Sequence, residues 1–314
     1  MTLLLQYTLI FASVLLLVAL GGCFAERSGV INIGLEGIMV IGALGGALML
    51  KFLPVTVGPL LMVLATVAVS ALFGLIFSLF LAVAAINFKA DQTITGTAMN
   101  MLATAGATVA VKAMNTAMSG GNDVSSDIAY THTKDLLLVR LGNFEFNWFM
   151  LVAVLCLIAS FVALYRTKFG LRLRACGEHP QAADSVGISV TKMRYSGVLI
   201  SGLLGGLGGI VYITAGVSVW KFENGVAGFG FLAMAVMIFG GWHPLKIALA
   251  SLLFGFCRAL GNVYSGFDFL AALNVPSVVY NMLPYIISLV VLAFTSKKSM
   301  GPKAAGIPYD KGTR

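Results

Sequence analysis

The sequence has little charge, and this shortage excludes most classes of soluble protein. Only 10% of its 314 residues are Asp, Glu, Lys or Arg, whereas 59% are hydrophobic. Soluble domains carry about 25% charged residues, so the composition indicates an integral membrane protein. Since no polar stretch is long enough for a second globular domain, we expect one membrane domain to fill the chain.

Residues that hold metals or form disulfides are also scarce. The four cysteines and three histidines form no CxxC pair and no Cys/His spacing typical of a zinc site. The apolar runs contain no paired Asp, Ser/Lys dyad or HExxH, and the chain has no G-x-x-x-x-G-K-S/T phosphate loop. We therefore expect no catalytic residue, no metal and no cofactor in this chain.

Long hydrophobic runs stand where a soluble protein would alternate polar and apolar residues. A helix needs about 20 apolar residues to span a bilayer. Candidate spans are residues 3–23, 35–51, 57–86, 93–113, 147–165, 195–217, 226–241, 246–263 and 277–296. The second and seventh are short and bounded by glycine, which is typical of broken or re-entrant helices. The expected fold is an all-α, polytopic membrane bundle of about 8–10 transmembrane helices.

A weak internal repeat accompanies the two short spans. Residues 29–35 (GVINIGL) resemble residues 225–231 (GVAGFGF), and an apolar stretch that ends in paired glycines follows each. Glycine-interrupted segments at matching positions in two halves indicate a substrate path between the halves. Chance similarity in a glycine-rich chain explains the pattern equally well, so a two-fold repeat stays one of two interpretations.

The few charges are distributed unevenly. Residues 166–194 contain six basic residues against two acidic ones, and residues 297–314 contain five against one. Loop 114–146 has two basic and four acidic residues instead. Because cytoplasmic loops of membrane proteins collect Lys and Arg, we predict that both basic segments are cytoplasmic. Loop 114–146 and the N-terminus then lie outside, and the basic balance does not indicate nucleic-acid binding.

A short helix is predicted inside the first basic segment. In residues 178–187 (EHPQAADSVG), proline takes the first helical position and glycine follows the end. A helix of about two turns is too short to be stable alone in water, so we expect it to dock. From the spacing alone, a solvated turn and a contact with a force-supplying soluble partner remain equal alternatives.

Residues 170–188 (GLRLRACGEHPQAADSVGI) resemble the signature loop of the ABC permease superfamily for branched-chain amino acids and simple sugars. Residues 26–37, 91–103, 238–244 and 282–285 are similar to further segments of that superfamily, especially its nucleoside-permease branch. The resemblance covers nearly the whole chain. His179 stands where the family usually has Asn, which leaves the docking contact of the short helix open.

The resemblance implies a permease subunit in a bacterial cytoplasmic membrane, translocating nucleosides or similar small polar solutes. Its expected partners are an ABC ATPase that binds ATP and Mg, a second and different permease chain, an extracytoplasmic solute-binding protein and membrane lipid. The implied domains are a permease domain, residues 1–296, and a basic cytoplasmic tail, residues 297–314. The alternatives are a permease for simple sugars or branched-chain amino acids and, more remotely, an ion-coupled secondary transporter.

Two sets of candidate functional residues follow. The predicted ATPase-coupling residues are Gly177, Glu178, His179, Pro180, Ala182, Ala183, Asp184 and Gly187. For the substrate path we select Asn32, Glu36, Asn100 and Phe229, because polar groups within spans are costly and usually functional, and a ring can stack on a nucleobase. The alternatives for Glu36 are a position at the membrane interface or an ion pair with a base such as Arg27. For Asn100 the alternative is interhelical hydrogen bonding, and for Phe229 an interfacial anchor role.

Overall fold

A computed structural model describes residues 2–141, 144–215, 217–267, 276–295 and 301–311. The helices are α1 (Thr2–Arg27), α2 (Leu35–Phe52), α3 (Pro59–Ala82), α4 (Gln92–Ser119), α5 (Thr131–Lys134), α6 (Trp148–Arg166), α7 (Lys168–Glu178), α8 (Pro180–Ser185), α9 (Val190–Thr214), α10 (Phe229–Phe239), α11 (Pro244–Val263) and α12 (Ser277–Thr295). A π-helical turn, Val83–Asn87, continues α3. The strands are β1 (Asp127–Ala129), β2 (Leu138–Leu141), β3 (Phe144–Asn147) and β4 (Val219–Lys221), paired antiparallel as β1–β4 and β2–β3.

These helices coincide with the predicted spans. Within the described residues, seven helices are long and apolar enough to cross a membrane, namely α1, α2, α3 with its π turn, α4, α6, α9 and α11. Helix α12 adds a further apolar helix of 19 residues. Helix α10 has only 11 residues, which at 1.5 Å per residue span about 16 Å, or half of the bilayer core. The predicted polytopic helical bundle is confirmed, whereas the internal repeat stays a prediction.

Helix α9 lies at the centre of the bundle and packs against α1, α2 and α3. Glycines allow the backbones to touch: a Cβ on Gly42 would overlap Gly206, and a Cβ on Gly74 would overlap the carbonyl of Gly202. Small residues permit such close approach between membrane helices. Helices α4 and α6 lie at the periphery, and large exposed apolar side chains such as Ile158 on α6 form a surface suited to lipid.

Opposite ends of the bundle carry the acidic loop and the basic segment. At one end, the Tyr130 hydroxyl of loop 114–146 donates to a carbonyl near the end of α9, and the N-terminal half of α1 lines a cavity together with β3. At the other end, where α1 finishes, Arg27 lies 3.8 Å from Glu178 in segment 166–194. This arrangement agrees with the charge pattern, in which loop 114–146 and the start of the chain share one side.

Candidate functional site

The chain loses its helical form between α1 and α2. Helix α1 ends in a glycine-terminated turn, in which the N–H of Gly29 donates to Glu26 at 2.9 Å and that of Val30 to Ala25 at 3.1 Å. The φ of Gly29 is +97°, a value that residues with a Cβ rarely adopt. Residues 28–34, here called the broken segment, then lead to α2.

Side chains of α4 satisfy backbone groups of the broken segment and of the first turn of α2. Asn100 accepts a hydrogen bond from Gly37 N–H at 2.8 Å and donates one to the Ile33 carbonyl at 3.0 Å. Gln92 accepts one from Ile31 N–H at 2.7 Å. An unsatisfied backbone group costs several kcal/mol in hydrocarbon, so these bonds stabilise the break. Of the two interpretations of Asn100, the structure supports interhelical hydrogen bonding.

Asn32 lies between the broken segment and α9. Its side chain is only 1% exposed, and its amide nitrogen donates to the Ser201 hydroxyl at 2.9 Å. Within the described residues, no donor lies within hydrogen-bond distance of its amide oxygen. A path-lining role for Asn32 stays a prediction, and it requires the broken segment to separate from α9.

Glu36 joins the beginnings of α2 and α10. Its carboxylate accepts hydrogen bonds from Gly228 N–H at 2.7 Å and from Gly230 N–H at 2.6 Å. The first N–H groups of a helix lack partners within the helix, and negative charge is favourable there. The predicted alternative, an ion pair with Arg27, is wrong because Arg27 instead lies beside Glu178. Glu36 therefore clamps α10 to α2.

Phe229 begins α10 inside a closed aromatic cluster. Its ring centroid lies 4.4 Å from that of Tyr212 and 5.8 Å from that of Phe11. The Arg258 guanidinium carbon is 5.5 Å from the Phe229 ring centroid. Because Phe229 is 1% exposed, the alternative of a membrane-interface anchor does not hold for it. Stacking on a substrate stays a prediction that requires this cluster to open.

The clamp lies beside an exposed surface of the chain. Helix α4 packs against α2, and helix α12 packs against α10. The exposed Tyr285 of α12 donates to the carbonyl of Ala227 at 3.3 Å. Ala227 itself is exposed and has a φ of +53°. Backbone strain of this kind is concentrated at functional sites, so this surface is our candidate for the substrate path.

Helix α8 has the ends that the sequence predicts. Pro180 occupies its first position. After its last turn, Gly187 N–H donates to the carbonyl of Asp184 at 2.9 Å, and Ile188 N–H donates to that of Ala183 at 3.0 Å. This is the Schellman arrangement, and the φ of +82° at Gly187 explains why a glycine ends the helix. The predicted short helix is confirmed.

The two faces of α8 differ in what they contact. Ala183 packs with Cys176 and Val190 in a small apolar cluster of the chain itself. The exposed residues are His179, Gln181, Ala182, Ser185, Val186 and Gly187. Val186 is 74% exposed. We did not select it from the sequence as a coupling residue, although it lies one helical turn from Ala182. Ala183 is thus unavailable to a partner, whereas Ala182 is available.

Four further predicted coupling residues have internal contacts. Gly177 lies so close to Arg27 that a Cβ would overlap the Arg27 carbonyl. Glu178 faces the Arg27 side chain, and Pro180 is buried. Asp184 is half-buried and contributes its carbonyl to the end of α8. Gly177 and Glu178 thus fix the coupling segment, formed by α7 and α8 (residues 168–187), to the end of α1.

Comparisons with known proteins extend over this whole architecture. A family model described as the permease component of the branched-chain amino acid transport system matches residues 4–294. The guanosine ABC transporter permease protein NupQ of Bacillus subtilis is 41% identical over 98% of this chain and 96% of its own length. The nucleoside ABC transporter permease protein NupC of Lactococcus lactis is 37% identical, covering 96% and 95%. The putative glucose ABC transporter permease protein TsgC13 of Haloferax volcanii is 31% identical, covering 82% and 76%.

Proposed function

The chain belongs to the permease family of the branched-chain amino acid transport system and is a permease subunit of an ABC importer, and we propose that it translocates nucleosides. The observation that carries the substrate is the nearly full-length similarity to permeases named for guanosine and for nucleosides. A simple sugar is the second candidate because of the glucose permease among the relatives.

The occupied helix ends support a neutral solute. In transporters with broken helices, the N-termini of half-helices attract anionic groups of the substrate. Here the N-terminus of α10 is already neutralised by the Glu36 carboxylate, and Gly37 near the start of α2 donates to Asn100. A substrate carboxylate or phosphate would therefore be repelled by Glu36. This argues for nucleosides or sugars and against branched-chain amino acids.

The exposed surface beside the clamp requires a second permease to become a closed path. We infer that a different permease chain covers the surface between α4 and α12, with the solute-binding protein at the end that carries loop 114–146. ATP and Mg belong to the ATPase at the opposite end. The relatives are permease subunits, and no enzyme family is indicated for this chain. We place the complex in a bacterial cytoplasmic membrane.

The exposed face of α8 supports a contact with the ATPase. Val186 projects from one end of the coupling segment, and Leu171 on α7 is 64% exposed. Arg172 and Lys192 are exposed nearby in sequence. Two apolar side chains with basic neighbours suit a groove with an apolar floor and an acidic rim. Ala182 and Val186 therefore replace Ala183 at the centre of our proposed docking surface.

Reconstitution tests the proposed substrate. The complex of this chain, its ATPase, its second permease and its solute-binding protein is placed in proteoliposomes with labelled guanosine, glucose or leucine. We expect ATP-dependent uptake of guanosine, with unlabelled uridine or adenosine as competitors. Uptake of glucose alone would establish the sugar alternative, and uptake driven by an ion gradient without ATP would contradict an ABC importer.

Cysteine labelling tests the orientation. In a cysteine-free chain, single cysteines are introduced at Asp127 and Asp184, and whole cells are treated with a membrane-impermeant reagent. The positive-inside pattern predicts labelling at Asp127 only. Labelling at Asp184 with none at Asp127 would invert the topology.

A further inference from the structure

Residues 301–311, here called the strap, pack on the bundle although their composition predicted a basic tail. Pro302 and Ala304 are buried. The N–H of Ala304 donates to the carbonyl of Gly177 in the coupling segment at 2.8 Å. Further along, Asp310 lies 2.7 Å from the ammonium group of Lys89, between α3 and α4. The strap therefore runs across the end of the bundle that we expect to be cytoplasmic, from the coupling segment to the connection between α3 and α4.

The contacts of the strap connect the parts that transport requires. Gly301 lies against the ring of Trp242, in the turn between α10 and α11. Gly306 lies against Ile31 of the broken segment. Tyr309 packs on the small cluster that contains Cys176 and Ala183 of the coupling segment. The strap, only 11 residues long, thus touches the coupling segment, the broken segment and the turn that follows helix α10.

A buried cation lies beneath the strap. Arg194 is 1% exposed, and its guanidinium carbon lies 6.0 Å from the centroid of the Tyr309 ring. Within the described residues, no acceptor lies within hydrogen-bond distance of its Nε or of Nη2. Burying a guanidinium with unmet hydrogen bonds is unfavourable. If the strap lifted from the bundle, water would reach Arg194 and bond to these nitrogen atoms. The free-energy difference between the seated and the lifted strap is therefore smaller than the contacts of the strap alone suggest.

We propose that the strap is a positioning segment of the transport cycle, which passes movement of the coupling segment to the broken segment. The connection is short, because Ala304 bonds to Gly177 and Gly306, two residues later, contacts Ile31 beside Asn32. Displacement of α7 by the ATPase pulls the strap, and the strap shifts the broken segment away from α9. This inference rests on the proposed function as an ATP-driven importer.

Two proline substitutions give one chain whose strap should be displaced from the bundle and one whose strap should stay in place. Ala304→Pro removes the N–H that donates to Gly177. Lys303→Pro is the matched control, because Lys303 is exposed and stands at the second position of the turn that Ala305 N–H closes on Pro302. Proline is favoured at that position of a turn. A chain that ends at residue 300 removes the strap altogether.

Cys176 reports whether the strap is seated. Burial raises the pKa of its thiol to about 11, so in the parent it reacts slowly with a maleimide at neutral pH. In a chain with Cys176 as the sole cysteine, we expect Ala304→Pro to speed labelling by about 2- to 13-fold, the change expected for one lost hydrogen bond. Lys303→Pro should label as slowly as the parent.

The decisive measurement is the number of nucleosides imported per ATP hydrolysed in the reconstituted complex. We expect this ratio to fall several-fold in Ala304→Pro and in the shortened chain, while ATP hydrolysis continues, and to stay at the parent value in Lys303→Pro. Faster labelling of Cys176 with an unchanged ratio would overturn the proposal, as would a shortened chain that keeps the parent ratio. Failure of the proposed substrate would differ, because the parent complex itself would then import no nucleoside.

Discussion

Replacing Glu36 with glutamine removes the negative charge that joins α2 to α10. The carboxylate accepts the N–H groups of Gly228 and Gly230 with its two oxygens, at 2.7 and 2.6 Å. Glutamine has nearly the same size but only one acceptor oxygen, and its NH2 group can only donate. In Glu36→Gln, one N–H group at the start of α10 therefore faces another donor.

The size of the effect follows from the two lost interactions. A hydrogen bond to a charged group contributes about 1.5–3 kcal/mol, and a negative charge at a helix N-terminus about 0.3–1 kcal/mol. The first turn of α10 should then open more easily by about 2–4 kcal/mol in Glu36→Gln. Since 1.4 kcal/mol corresponds to a factor of ten, its open population should rise roughly 30- to 700-fold.

Hydrogen exchange measured by mass spectrometry on the complex in nanodiscs follows this opening. We expect faster exchange in the peptide that contains Gly228 and Gly230, unchanged exchange in α9, and a lower rate of nucleoside uptake. Glu223→Gln is the control, because Glu223 is an exposed carboxylate paired with Lys112; it should change neither measurement. Unchanged exchange around Gly228 in Glu36→Gln would refute the clamp.

Three further predictions concern helix packing, ATPase docking and the broken segment. Gly42→Ala should lower complex yield and melting temperature because its Cβ would overlap α9, whereas Gly106→Ala, which has open space around it, should leave both unchanged. Ala182→Arg should reduce transport and stimulated ATP hydrolysis at normal yield, whereas Ala183→Arg should reduce yield; the opposite result would reverse the faces of α8. Asn100→Ala should slow uptake and destabilise the complex by about 1–3 kcal/mol, because it leaves the part-buried Ile33 carbonyl and Gly37 N–H without their side-chain partner; an unchanged melting temperature and uptake rate would contradict this.

The spans and the short helix were predictable because their signals are local. Hydropathy depends on composition within a window of about 20 residues, so the runs of the sequence coincide with the helices. Proline at position 180 and glycine at position 187 mark the ends of α8 through their own backbone restrictions. Such local signals can be interpreted without knowing which residues from distant parts of the sequence pack nearby.

The partners of the site residues could not be predicted, because they depend on distant contacts. Glu36 bonds to Gly228, which is 192 residues away, and Asn32 bonds to Ser201, 169 residues away. Neighbouring alanines of α8 differ by about 100° around a helix, and only the packing of Ala183 on Cys176 decides which of them faces inward. Charge composition likewise gave no indication that Pro302, within a basic tail, would be buried.

The contact of Glu36 with α10 also determines the order in which parts of the protein can assemble during synthesis. Gly230 follows Glu36 by 194 residues, and ribosomes add about 5–20 residues per second. The Glu36 carboxylate therefore waits about 10–40 s after its synthesis before its hydrogen-bond donors exist. Helix α10, at 11 residues, is too short to be retained in a bilayer by hydrophobicity alone. Its insertion is thus one of the last steps of biogenesis, and it completes a site that the first helices of the chain began.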